Sequence, residues 1–114
     1  MARLSSETLS NVFSLQRQLL EQVDEATAVE YILMEQFGET EETIPELDEL
    51  QSIRERADSY YSRFYVTLRR IYDAQPVASR DVLELLDRSM DEATAALAAT
   101  RANVQEIKRN WNLL

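Results

Sequence analysis

The chain has 114 residues, with one glycine, two prolines, no cysteine and no histidine, and it carries a formal net charge of −9 at neutral pH. That length suits one domain with one core, and so few breakers, against usual shares of roughly 7% Gly and 5% Pro, imply long helices and short turns. Without Cys or His there can be no disulfide, thiol nucleophile, Ser-His-Asp triad, His- or thiolate-ligated zinc or Glu-x-x-His di-iron site, and one glycine excludes Gly-rich phosphate loops.

The first helix is expected over about 6–37. Ser5 is a good N-cap, and Leu4 and Leu9 stand at the two positions of a hydrophobic staple. Gly38 follows the last periodic residue, where an αL cap is expected. Steps of three and four from Leu9 give a seam of Leu9, Val12, Gln16, Leu19, Val23, Ala26, Glu30, Leu33 and Phe37, apolar except at Gln16 and Glu30.

A polar, acidic connection over 38–43 leads to the second helix, about 44–73. Thr43 and Glu46 have the spacing of a capping box, with Pro45 tolerated in the first turn. The seam here is Leu47, Leu50, Arg54, Ala57, Tyr61, Phe64, Leu68 and Ile71. Pro76 stops this element. Ser79 caps the third helix, about 80–113, with Asp81 near its positive end. Its seam runs Leu83, Leu86, Met90, Ala93, Leu97, Thr100, Val104, Ile107, Trp111 and Leu114. A seven-residue repeat sustained this long implies coiled-coil-like packing.

The expected fold is therefore all-α: one domain over 1–114, three long amphipathic helices in an up-down-up antiparallel bundle. An elongated hairpin completed by dimerisation is the rival arrangement. No apolar run approaches the roughly 20 residues of a membrane span, and the start, Met1 to Ser5, lacks the apolar stretch of a signal peptide, so a cytoplasmic protein is expected.

Function must then come from surfaces. Residues 18–53 contain eleven acids and no base, among them Glu39, Glu41 and Glu42 in the connection. They suit a protein partner with a basic surface, or else a solvated end that keeps the chain dispersed. In the second helix Arg54, Arg56, Arg63, Arg69 and Arg70 are interleaved with Tyr60, Tyr61, Phe64, Tyr65 and Tyr72. Tyr and Arg are frequent at interface hot spots. Bases can stack on the same residue types, but the chain's overall charge repels phosphate, which argues against nucleic acid. The end of the first helix is apolar nearly all round, at Val29, Tyr31, Ile32, Leu33, Met34 and Phe37, more than a single buried stripe needs. The alanines between Ala93 and Ala102 have two readings, the close approach of another helix and helix propensity alone.

The expectation is a non-enzymatic interaction module, a regulatory, adaptor or assembly subunit without a cofactor. The expected contacts are Val29, Ile32, Met34, Glu39, Glu41, Glu42, Tyr60, Arg63, Tyr65, Arg69 and Tyr72. Val29, Ile32 and Met34 with Tyr60, Tyr65 and Tyr72 are expected to form one patch that closes a homodimer. Two alternatives stand beside it. One is a Mg²⁺-dependent hydrolase of the all-α nucleotide pyrophosphohydrolase type, with Glu21/Asp24 and Glu84/Asp87/Asp91 as its carboxylates. The other is a small helical subunit of a nucleic-acid-associated complex.

Overall fold

The computed structural model describes residues 4–114, which form three helices: α1 (Ser6–Phe37), α2 (Ile44–Asp73) and α3 (Arg80–Asn110). Contacts between them fix the topology. Leu4 lies with Ile71 and Ala74, while Glu30 meets Arg54, so α1 and α2 run antiparallel. Arg63 reaches Glu92 and Trp111 reaches Glu46, so α3 reverses again. Gln18 with Arg101 and Glu25 with Lys108 keep α1 and α3 in parallel register. The result is the expected three-helix bundle, drawn out to 57 × 20 × 17 Å. Its radius of gyration of 17.4 Å exceeds the about 13 Å of a compact chain of this length.

The caps explain the boundaries. The Ser5 side chain accepts from the Thr8 N–H at 3.0 Å, and Ser79 does the same for Val82 at 3.3 Å. Gly38 closes α1 with its N–H on the Leu33 and Met34 carbonyls, but at φ 73° and ψ −171° it is extended rather than αL. That region of positive φ is open essentially to glycine alone.

Two expectations about ends are corrected. Thr43 is helical and makes no cap for α2; Glu46 instead accepts from the Trp111 indole N–H at 3.2 Å. The reciprocal box forms three residues earlier. The Thr40 hydroxyl accepts from the Thr43 N–H at 3.1 Å, and the Thr43 hydroxyl accepts from the Thr40 N–H at 2.8 Å. Thr43 is fully buried and also donates to the Gly38 carbonyl, tying the connection to the end of α1. The third helix stops at Asn110. Asn112 takes φ 61°, and the N–H groups of Asn112 and Leu113 turn back to the carbonyls of Arg109 and Lys108, a Schellman motif with asparagine in the glycine place. Leu114 therefore leaves the seam and is 74% exposed.

The core has two apolar sections. One contains Val12, Leu19, Phe64 and Leu86; the other, toward the 38–43 connection, contains Val29, Leu33, Leu50, Ile53 and Val104. Gln22, 2% exposed, and Thr100, 4% exposed, are buried between them.

Candidate functional site

Each helix of a three-helix bundle faces two neighbours and buries two adjacent heptad rows. One row of each expected seam is in the core: 12/19/26/33 in α1, 50/57/64/71 in α2 and 86/93/100/107 in α3. In α1 and α2 the second row differs. In α1 it is Leu15, Gln22 and Val29 rather than Gln16, Val23 and Glu30. In α2 it is Ile53, half-buried Tyr60 and Thr67 rather than Arg54, Tyr61 and Leu68; in α3 Leu97 and Val104 of the expected second row are buried, with Val82, Ser89 and Ala96 buried beside them. The rows displaced from α1 and α2 are half-buried and form the floor of a groove between these helices, on the side away from α3.

This groove is the candidate site. Leu20, Val23, Arg54, Asp58 and Tyr61 line a central cleft of about 450 Å³. Thr27, Glu30, Tyr31, Met34, Leu47 and Asp48 line a second of about 430 Å³ toward the connection. Between them the Arg54 guanidinium donates to Glu30 at 2.7 Å, the shortest ion pair across helices. Helical register carries the groove the other way. Phe13 lies one heptad before Leu20, Tyr65 one after Asp58, and Leu68 one after Tyr61. Phe13, Leu20, Tyr31, Met34, Tyr65 and Tyr72 are each between 46% and 66% exposed.

The electrostatics along the groove are uneven. Arg17 and Arg69, the bases near its Phe13 and Tyr72 end, pair with Glu21 and Asp73 on their own helices. The Tyr65 hydroxyl, accepting from Arg69 at 3.3 Å, and then the Asp73 carboxylate raise the Arg69 pKa. Toward the connection, Asp24, Glu39, Glu41, Glu42 and Asp48 have no hydrogen-bond or ion-pair partner among the described residues.

The expected contact residues separate in this geometry. Val29 is 1% exposed in the core, which removes it from any surface patch. Ile32 is half-buried and lies half a turn from the groove row. Tyr60 and Arg63 turn toward α3: the guanidinium sits 5.1 Å over the Tyr60 ring and pairs with Glu92 at 3.0 Å. Met34, Tyr65, Arg69 and Tyr72 do lie along the groove, and Glu39, Glu41 and Glu42 are exposed at its acidic end. Met34 and Tyr72 are nonetheless about 35–40 Å apart along the rod, because α1 and α2 run antiparallel. The six-residue patch expected to close a homodimer is therefore not contiguous.

Phe13, Leu20, Val23, Tyr31 and Leu68 belong to the groove but not to the expected contacts. Val23 and Leu68 stand in the seams, where apolar periodicity alone assigns them to the core; Tyr31 stands in the apolar end of the first helix, and Phe13 and Leu20 lie outside every seam.

The carboxylates proposed for a metal do not gather. Among the described residues no three acidic side chains are placed to hold an ion, and Glu21 and Glu84 pair with Arg17 and Arg80. No described helix is long and apolar enough to cross a membrane. Compared with protein-family models, curated proteins and solved structures, the chain matches none of them.

Proposed function

We propose that this chain is a non-enzymatic helical interaction subunit, of the regulatory, adaptor or assembly kind, that presents the α1/α2 groove to another protein. One observation carries the reading: the bundle buries Gln22, Thr67, Ser89 and Thr100 while Phe13, Leu20, Tyr65 and Tyr72 stay exposed. A chain selected for its own stability alone gains nothing from apolar side chains left in water on one continuous face. A covering helix would bury them, each large apolar side chain contributing roughly 1.5–3 kcal/mol when fully buried.

The test is face-specific photo-crosslinking in lysate of the producing cell. A crosslinking amino acid at Leu20 is expected to trap a discrete protein adduct, and the same group at Ala98, on the outer side of α3, is expected to trap none. Equal labelling from both positions would remove the reading.

Self-association is a second reading, favoured by the antiparallel arrangement of the two groove helices. A two-fold mate would set the Tyr72 and Arg69 end of one copy beside the Tyr31 and Glu35 end of the other.

A further inference from the structure

We infer that the occupant of the α1/α2 groove is a basic amphipathic helix of another protein, about 25 residues long, seated as the fourth helix of a bundle; this rests on the reading that the groove is the interaction face. Length comes from the groove itself. Its exposed apolar positions run from Phe13 to Met34 on α1 and reach Tyr72 on α2, a span of about 35–40 Å, which a helix of about 25 residues covers. Helical form follows from the floor. Val23 is at the centre of a row repeating every seven residues on α1, and Arg54, Tyr61 and Leu68 form the facing row on α2. Two such rows make holes that accept side chains at three- and four-residue spacing.

Charge selects the partner. Glu39 and Asp48 line the half of the groove nearest the connection, without a counter-ion among the described residues. Among the described residues that line the two clefts Arg54 is the one base, and it is already engaged by Glu30. A second copy of this chain would add its own charge of −9. Its groove arginines, Arg17 and Arg69, are both held in pairs within their helices. Lysines or arginines flanking the apolar stripe of a foreign helix would supply the missing charge, and steer its approach. The end lined by Phe13, Tyr65 and Tyr72 would take the helix's larger apolar residues.

The test uses two fluorescein-labelled 25-residue peptides with leucine at heptad positions a and d and either lysine or glutamate elsewhere, followed by anisotropy. The lysine peptide is expected to bind at least about tenfold more tightly than the glutamate peptide, and to weaken at least about tenfold between 50 and 500 mM NaCl. Leu20→Arg, at a half-exposed position that the fold does not need, is expected to cost at least about tenfold, and Ala98→Arg to cost nothing, with helix content checked by circular dichroism. Lysine-peptide binding that survives Leu20→Arg would be adhesion to acidic surface and would overturn the inference. So would equal binding of the two peptides, or no binding of either. Light scattering supplies the distinction from the parent reading. A particle of twice 13.2 kDa that Leu20→Arg returns to monomer would overturn the foreign helix and keep the groove as an interface. A monomer that binds neither peptide and gives no adduct from position 20 would overturn both.

Discussion

Gln22 is the residue whose placement conflicts most with its chemistry. It is 2% exposed, and its side-chain Nε2 has no hydrogen-bond partner among the described residues. An unsatisfied buried donor costs about 1–3 kcal/mol. Its position suggests what that cost sustains. Gln22 and Thr100 border one small void at the junction of the two apolar core sections, and a polar layer inside a bundle can fix register at the expense of stability. Gln22→Leu is therefore expected to raise stability by about 1–2 kcal/mol in urea denaturation. A loss of stability would mean that the amide is satisfied in solution and that the layer is not a stored cost.

At the scale of elements, start and stop chemistry was legible almost to the residue, because Ser5, Gly38, Pro76 and Ser79 each act through local backbone geometry. The start of α2 was misread for a physical reason. Thr40-x-x-Thr43 and Thr43-x-x-Glu46 are both plausible boxes in sequence. Burial of Thr43 against the Gly38 carbonyl and capture of Glu46 by Trp111 decide between them, and both are tertiary contacts. The two boxes differ in what they predict. Thr40→Ala removes the side-chain acceptor of the Thr43 N–H, leaving it the Thr40 carbonyl at 3.2 Å, and is expected to cost about 1 kcal/mol, whereas a Thr43/Glu46 box would leave that substitution silent. Thermal denaturation with Glu46→Gln as the comparison separates them. The second heptad row of α1 and of α2 was likewise beyond periodicity. Gln22 and Thr67 fall outside the seams, while Val23, Tyr61 and Leu68 fall on them; only the direction of the third helix tells which row is covered. The groove was thus hidden in the sequence as an over-complete core, and the expected contacts at Val29 and Tyr60 went to the core and to the α3 side.

The whole molecule is a rod with its charge gathered toward one end, which links stability and binding through salt in opposite directions. Residues 18–53 hold eleven acids, and Asp24, Glu39, Glu41, Glu42 and Asp48 among them have no partner within the described structure. Like charges on neighbouring turns destabilise by roughly 0.2–0.5 kcal/mol per pair, so several together are worth about 1 kcal/mol against the fold. Salt screens these exposed charges first. The half-buried Glu30–Arg54 and Glu25–Lys108 pairs, at 2.7 and 3.1 Å, are screened less. Raising NaCl from 0.05 to 0.5 M is therefore expected to raise the melting temperature, by about 4–8 °C for about 1 kcal/mol, while weakening any basic partner. Neutralising Glu39, Glu41 and Glu42 together to Gln should flatten the rise and slow partner association, and should leave helix content unchanged because all three side chains are exposed. Calorimetry of both proteins across the salt series tests this. A melting temperature that falls with salt would show that the interhelical ion pairs outweigh the acidic repulsion, and the acidic end would then carry no destabilising charge for a basic partner to relieve.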